Sequence, residues 1–243
     1  MQADPSAQLR LLDLQRIDTA ISQLEHRAKT LPEHAQLKQH QAVRAALAQE
    51  LVAAETVVSD ATAAQKRAES DLEPVRARLV RDQQMVDDGG VTDPKVLRSM
   101  LDEIEHLVGR IATLEDSELE LMQALEDAEQ ARDQVRQRKT EVEDQMRALI
   151  ATRDQAVAQL SADVAAERGR RGQVVKDLPA GLVDLYEKVR ARSGYGAAEL
   201  KGRRCTGCGL EATPADYNRY QAAPANEVLR CEECSAVLVR TEQ

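Results

Sequence analysis

Apolar residues recur along most of the chain in steps that alternate between three and four residues. One series runs from Leu14 to Leu31, a second from Leu47 to Leu79 and a third from Leu97 to Leu160. A sustained seven-residue repeat is typical of α-helices that pack together in a left-handed coiled coil. The pattern therefore predicts a mainly α-helical fold built from long helices.

Proline residues indicate where these helices begin and break. Asp4-Pro5 and Asp93-Pro94 each place a capping residue before a proline at the first helical position. Pro32 separates the first two series, whose phases do not match, and residues 30–33 have the Thr-x-x-Glu spacing of a capping box. Pro74 lies inside the second series without a change of phase, which predicts a kink within one helix.

A turn between the second and third series is predicted at residues 87–90, which read Asp-Asp-Gly-Gly. Two long helices joined by a short connection pack as antiparallel neighbours. Folding the chain at this turn places Leu79 near Leu101 and Leu14 near Ala166. Many seam positions hold Ala, Gln, Arg or Lys, so the layers are thin, and the hairpin is expected to be flexible or to need a partner. A side-by-side dimer of hairpins is one such arrangement.

The C-terminal part of the chain differs in composition from the predicted hairpin. Phe and Trp are absent, and all four Tyr lie beyond residue 180. Since compact cores usually contain aromatic side chains, this part is predicted to be a compact head. Residues 169–172, which read Gly-Arg-Arg-Gly, are predicted to end the helical arm, and a short helix is predicted over 180–193 with Gly194 closing it.

The four cysteines form two Cys-x-x-Cys pairs, Cys205 with Cys208 and Cys231 with Cys234. Zinc takes four tetrahedral ligands and binds thiolates well, so this spacing predicts one structural zinc ion with no open position for catalysis. Gly207 and Gly209 suit tight turns around the metal, which need positive φ or close backbone approach. Disulfide bonds and a redox-active pair are the alternatives. A thioredoxin-like motif would need a surrounding βαβ pattern, which the sequence lacks.

Around the cysteines the sequence predicts short elements. Thr213-Pro214-Ala215-Asp216 has the pattern of a capped helix start, with Tyr217 and Tyr220 on one face. Val228-Leu229 and Val237-Leu238-Val239 are typical of strands. The predicted organisation is therefore an antiparallel coiled-coil hairpin over 5–167 with its turn near 87–93, a junction with a short helix over 168–198, and a C4 zinc ribbon of short β-strands over 199–243.

Charge is unevenly distributed in the sequence. The chain has 33 Lys and Arg against 42 Asp and Glu, a net charge of −9, which argues against a protein that envelops nucleic acid. The acidic excess lies in the hairpin, and the C-terminal part is close to neutral. Near the junction, six basic residues form a candidate phosphate-binding patch: Arg168, Arg170, Arg171, Lys201, Arg203 and Arg204. Solvated surface is the simpler interpretation of such residues.

No phosphate-binding loop, Ser/His/Asp set or pair of carboxylates in a pocket is evident in the sequence, so the chain is not expected to be an enzyme. It shows no signal peptide and no apolar run long enough for a membrane span. A cytoplasmic location is therefore expected.

These features together resemble the bacterial C4-type zinc-ribbon proteins with a long coiled-coil hairpin, a family of unknown function. The likeness is carried by Leu9 to Leu31, by Leu182 to Arg190 and by the two cysteine pairs. After the last cysteine the family often has Gly-Arg, where this chain has Ser235-Ala236. The resemblance implies a non-enzymatic adaptor, since some relatives look like regulators that contact an alternative sigma factor or RNA.

Two functional hypotheses follow. The first is a coiled-coil adaptor or regulator that recognises other proteins, with the transcription machinery as a candidate partner. The second is a nucleic-acid-binding regulator that uses the ribbon and the basic junction. An acidic hairpin and a nearly neutral head favour the first.

Overall fold

Three helices make up most of the chain. The structure, a computed structural model, describes residues 1–241, so the last two residues of the predicted ribbon lie outside the described residues. Helix α1 spans Pro5–Lys29, α2 spans Pro32–Asp87 and α3 spans Pro94–Lys176. The predicted helix starts at Pro5 and Pro94, the break before Pro32 and the turn near 87–93 are confirmed.

The predicted cap at the start of α1 is observed, whereas the capping box predicted after its end is not. Asp4 caps the start, where its carboxylate accepts a hydrogen bond from the Ser6 amide at 2.8 Å. Thr30 does not form the predicted capping box, because its hydroxyl donates to the carbonyl oxygen of His26 at 3.0 Å. Thr30 thus caps the C-terminus of α1. Pro74 lies inside α2, as predicted.

The prediction that residues 169–172 end the helical arm is wrong. Helix α3 continues through both glycines to Lys176. The last turns of α3 have tertiary contacts that offset the weak helix propensity of glycine: Val174 and Val175 pack against a buried apolar cluster, and Arg171 forms ion pairs with other helices. The short helix α4 is confirmed at Ala180–Ser193, with Gly194 in a left-handed conformation at its end.

Residues 35–150 form one compact unit, called the hairpin unit below. Its helices pack antiparallel, and ion pairs join Arg76 to Glu115 at 2.6 Å and Arg138 to Glu50 at 3.0 Å. The predicted seam positions of α3 are the ones that lose solvent exposure, which confirms the seven-residue repeat. Most of them are only half-buried. Buried apolar side chains in this unit are few and widely spaced: Leu37, Leu47, Leu72, Leu107, Val135 and Met146.

The predicted register is correct next to the turn and wrong along the rest of the paired helices. Arg78 contacts Glu103 at 2.9 Å, close to the predicted pairing of Leu79 with Leu101. At the other end, however, Arg10 pairs with Asp177 and Asp18 with Arg171. Leu14 of α1 therefore lies opposite a part of α3 that is roughly two helical turns beyond Ala166. The same shift is already present within the hairpin unit, where Glu50 pairs with Arg138 and Arg44 with Glu143, so it does not arise at the break between α1 and α2.

Residues 1–34 and the chain from residue 151 onward form the second compact unit, called the base unit below. After α4 it contains four short strands and one helix: β1 Ala197–Lys201, β2 Arg204–Cys205, α5 Pro214–Ala222, β3 Leu229–Arg230 and β4 Val237–Arg240. Helix α5, capped by Thr213, and strands β3 and β4 are as predicted, whereas β1 and β2 were not foreseen.

The strands form one sheet in the order β2-β1-β4-β3, in which β1 and β4 run parallel and the other pairs antiparallel. Side chains alternate between the two faces of the sheet. Ala197 and Val237 point to a core that contains Leu11 and Leu14 of α1 and Tyr186 of α4. The opposite face packs on a second core, which contains Ala198, Leu238, Tyr220 and two of the cysteines, Cys205 and Cys231. The sheet thus links the metal-binding region to the helices.

A buried polar cluster centred on Asp18 joins α1, α3 and α4. The Asp18 side chain is 1% exposed and accepts hydrogen bonds from the Tyr186 hydroxyl at 2.7 Å and from Arg171 Nε at 2.8 Å. Arg190 lies 3.4 Å away, and Arg171 also pairs with Glu187. Burial and the hydrogen bond to Asp18 raise the pKa of Tyr186. Burial lowers the pKa of Arg171, but its hydrogen bonds to the two carboxylates outweigh this and raise it.

Gln15 extends this polar contact to the start of the sheet. Its side-chain oxygen accepts hydrogen bonds from the backbone amides of Gly196 at 2.8 Å and Ala197 at 3.3 Å. A Cβ at Gly196 would clash with the ring of Tyr186, so only glycine allows the chain to pass this ring. Gln15 and Tyr186 together fix where β1 begins.

Within the residues that the structure describes, none of the helices has both the length and the apolar character needed to cross a membrane.

We expect Asp18→Asn to lower the free energy of unfolding of the base unit by about 3 kcal/mol, because removing one partner of a buried ion pair leaves the others uncompensated. All four tyrosines lie in the base unit and the chain has no Trp, so intrinsic tyrosine fluorescence during denaturation with urea reports on this unit. Asp13→Asn is the matched control, since Asp13 pairs with Arg16 on the exposed side of α1. Its effect should stay below about 0.5 kcal/mol. Equal effects of the two substitutions would contradict the role given to Asp18.

Candidate metal centre

The four cysteine sulfur atoms converge on one point. All of them lie within 4.8 Å of one another, and the Cys205–Cys234 and Cys208–Cys231 sulfur pairs are each 3.9 Å apart. A tetrahedral zinc ion with Zn–S bonds of about 2.3 Å places its sulfur ligands roughly 3.8 Å from one another. The four side chains therefore fit one zinc ion. They are free thiols, so the disulfide alternative is not realised.

The first cysteine pair lies in a tight turn at the end of β2. The amide of Gly209 donates to the carbonyl oxygen of Cys205 at 2.8 Å, and the amide of Cys205 donates to the carbonyl oxygen of Leu210 at 3.0 Å. Gly209 has φ +75, in the left-handed region that favours glycine. Gly207 is needed for a different reason, because a Cβ there would approach the Cβ of Ala198 to 3.1 Å. Both interpretations of these glycines are confirmed.

The second cysteine pair repeats the same turn with a different residue at the critical position. The amide of Ser235 donates to the carbonyl oxygen of Cys231 at 2.9 Å, and the amide of Cys231 donates to that of Ala236 at 2.9 Å. Ser235 has φ +61 and is the only non-glycine residue with positive φ among the described residues. This turn therefore carries backbone strain that the first does not.

The environment of the thiols affects how readily each of them ionises. Burial, together with the nearby thiolates, raises the pKa of Cys234 to about 12, and burial also raises the pKa of Cys205. Burial opposes ionisation of Cys208 as well, but hydrogen bonds from the Leu210 amide and the neighbouring thiols lower its pKa. Zinc binds the thiolate form, so metal binding would release protons and remove the repulsion between the sulfurs.

Helix α5 and strand β4 hold the metal-binding turns in place. The hydroxyl of Tyr220 donates to the carbonyl oxygen of Arg230, next to Cys231, at 3.2 Å. The guanidinium of Arg240, at the end of β4, donates to the carbonyl oxygens of Ala223 and Pro224 at the end of α5, at 2.7 and 2.6 Å. These contacts fix the long connection between the two cysteine pairs.

The candidate phosphate-binding residues of α3 are engaged in ion pairs. Arg168 pairs with Glu25 at 2.8 Å, and Arg170 pairs with Glu167 of its own helix. Arg171 belongs to the buried Asp18 cluster. Only Arg171 takes part in a buried contact, and the side chains of Arg168 and Arg170 are largely exposed.

The three remaining basic candidates lie around the β1–β2 turn. Arg204 pairs with Glu211 at 3.2 Å, and Arg203 donates to the carbonyl oxygen of Ala212 at 2.9 Å. Lys201 is exposed. Within residues 1–241, no hydrogen bond or ion pair joins this group to the three arginines of α3. A role of these six basic residues in binding nucleic acid stays a prediction.

Sequence reasoning missed two polar residues on which the base unit depends, Asp18 and Gln15. One signal was present for Asp18: it lies at the three- and four-residue spacing shared by the buried residues Leu11, Leu14 and Ile21. A carboxylate at such a position needs buried partners.

Comparison with known proteins agrees with this architecture. Residues 14–194 match the family model of the CT398-like coiled coil hairpin domain. The chain belongs to this family. Residues 204–238 match the C4-type zinc ribbon domain, which covers all four cysteines. The predicted resemblance and the single structural zinc ion of the C4 ribbon are thereby confirmed.

Relatives of the chain occur in mycobacteria. The uncharacterized protein Rv2229c of Mycobacterium tuberculosis is 33% identical over 246 residues, which covers 100% of this chain and 98% of that protein. The uncharacterized protein ML1638 of Mycobacterium leprae is 26% identical over 238 residues, which covers 92% of this chain and 96% of that protein.

Solved structures share the fold of the family. A protein of Mycobacterium smegmatis superposes with a TM-score of 0.84 at 33% identity, covering 99% of this chain and 100% of that one. CT398 of Chlamydia trachomatis gives a TM-score of 0.63 at 16% identity, covering 97% and 98%. HP0958 of Helicobacter pylori gives 0.53 at 14% identity, covering 98% of each chain. The last two likenesses show the fold alone.

We expect Cys231→Ser to remove zinc and to unfold the ribbon, while the hairpin unit stays helical, because the fold of such a ribbon is coupled to its metal. Zinc content by mass spectrometry and helix content by circular dichroism measure the two effects. Thr206→Ser is the control, since it changes a residue between two ligands and keeps the hydroxyl that accepts from the Glu199 amide. Full zinc occupancy in Cys231→Ser, or loss of zinc in the control, would contradict the assignment.

The two turns make opposite predictions for glycine. Ser235→Gly should stabilise the ribbon by about 1 kcal/mol, because glycine adopts positive φ without the clash of a Cβ. Gly209→Ala should destabilise it by a similar amount, although a Cβ there meets no other atom within 4 Å. Thermal unfolding of the zinc-loaded protein, followed by tyrosine fluorescence, measures both. A lower melting temperature for Ser235→Gly would show that the serine hydroxyl matters more than the backbone.

Proposed function

We propose that this chain is a non-enzymatic cytoplasmic adaptor or regulatory protein that recognises other proteins. The observation that supports it most is the closed metal site. Four thiolates occupy all four coordination positions of a tetrahedral zinc ion and leave none for a substrate or a catalytic water. A site that depends on reduced thiols also suits a reducing compartment.

Recognition of proteins is supported by the hairpin unit. Its seam is mostly half-buried, and apolar side chains also lie outside the seam on both helices, for example Val52, Val57, Leu119 and Met122. Coiled coils commonly bind further helices through such positions. A component of the transcription machinery is the candidate partner.

The nucleic-acid hypothesis has less support. Of the six basic candidates, Arg168, Arg170, Arg171 and Arg204 already pair with carboxylates. A patch that neutralises phosphates would have to break these pairs or rely on Lys201 and Arg203 alone. Nucleic acid is therefore the outcome that would replace the proposal, and the test includes it.

Cross-linking in the native cells, followed by mass spectrometry, should identify proteins joined reproducibly to this chain. A parallel titration with labelled RNA should show weak binding that disappears as salt rises, since few phosphates can be neutralised. Lys201→Glu with Arg203→Glu tests the remaining patch, because Arg171→Glu would also destroy the Asp18 cluster. Arg136→Glu, on the hairpin, is the control. RNA binding at physiological salt that only the double variant loses would overturn the proposal.

A further inference from the structure

Exposed apolar side chains form a second regular series on α3, beside the seam. Leu101, Val108, Leu119 and Met122 are between 49% and 62% exposed. We call these four residues the α3 strip. Leu101, Val108 and Met122 are separated by multiples of seven residues, and Leu119 lies one turn before Met122. The four side chains therefore lie along one side of the helix.

This strip continues onto the neighbouring helix of the hairpin unit. Glu115 lies seven residues after Val108 and seven before Met122, so it shares their side of α3, and it pairs with Arg76 of α2. Val80 is one helical turn from Arg76 and is half-exposed. Apolar surface from both helices thus faces solvent on this side of the unit.

Acidic residues surround the strip. Residues 99–131 contain ten Asp and Glu against a single Arg, a net charge of −9. The whole chain also carries −9, so this segment accounts for the entire acidic excess and the rest of the chain is neutral. Two of these carboxylates, Glu103 and Glu115, pair with Arg78 and Arg76. Within the described residues the other eight form no ion pair, although Glu126 and Asp127 each accept a hydrogen bond from a glutamine.

We propose that the α3 strip binds a basic amphipathic helix of a partner protein. The negative field selects a positively charged partner and repels nucleic acid and a second copy of the same strip. From Leu101 to Met122 the strip is about 30 Å long, or roughly six helical turns, and its seven-residue spacing matches the apolar face of another helix. The inference rests on the proposed function and names the surface and the kind of partner.

The test uses the full chain and a synthetic helix of about six turns, made of leucine and lysine with leucine at coiled-coil spacing and labelled for fluorescence anisotropy. Leu119→Ser with Met122→Ser should weaken binding by at least about tenfold, because two buried apolar contacts are lost. Both substitutions leave the net charge of the chain unchanged. Since these side chains are exposed, the helix content measured by circular dichroism should not change.

A matched control lies on the other side of the hairpin unit. Val57 and Met85 are 56% and 48% exposed and share the seven-residue phase of Arg78, which pairs with Glu103 away from the strip. Val57→Ser with Met85→Ser should leave the affinity for the peptide unchanged. Equal binding by the wild type and both variants would show charge attraction alone and would overturn the inference.

Two further results separate this inference from the proposed function. Light scattering that shows a dimer lost only in the Leu119/Met122 variant would assign the strip to a second copy and overturn the inference. Cross-linked partners that contact the base unit, and are retained by that variant, would also overturn it while the adaptor function stands. Absence of any protein partner together with strong RNA binding would remove both.

Discussion

The carboxylate of Asp18 is buried where three helices meet, and the geometry of the base unit depends on its partners. A buried charge is stable only when other groups replace the water that it has lost. Here Arg171 comes from α3, and Tyr186 and Arg190 come from α4. Because hydrogen bonds are directional, this cluster fixes the rotation and translation of α3 and α4 against α1, which apolar packing alone fixes less strictly.

The small sheet carries this constraint to the metal. One face of the sheet packs on Tyr186 and α1, and the other covers the two buried cysteines. Gln15 holds the first residues of β1, and β1 pairs in parallel with β4, which follows directly on the second cysteine pair. Zinc therefore stabilises more than a peripheral loop: its ligands lie on a sheet whose other face completes the core of the helices. Loss of the metal should therefore disorder the core that contains Cys205 and Cys231 first, and the core around Tyr186 only afterwards.

The parts that could be predicted from sequence are those determined by local spacing. The seven-residue repeat indicated the hairpin, and the cysteine spacing indicated the zinc site, because both depend on neighbours in the chain. The end of α3 could not be predicted, since two glycines favour a stop and the contacts that extend the helix, such as Arg171 with Asp18, come from residues far away in sequence. Strands β1 and β2 were missed for the same reason. The left-handed backbone of Ser235 gave no signal in its own side chain. The signals in the sequence were Gly209 at the equivalent position of the first cysteine pair and the glycine that the family often has after the last cysteine.

The base unit and the hairpin unit are stabilised by different kinds of contact. The base unit concentrates all four tyrosines, the buried polar cluster and the metal ligands, so its interior is densely connected. The hairpin unit has no aromatic residue, only a few buried apolar side chains, and ion pairs at its surface that contribute little each. Segments with few buried contacts open more readily. A third helix on the α3 strip would cover exposed apolar surface and balance unpaired carboxylates at the same time. The weakness of the hairpin as a closed structure is therefore consistent with its use as a binding surface.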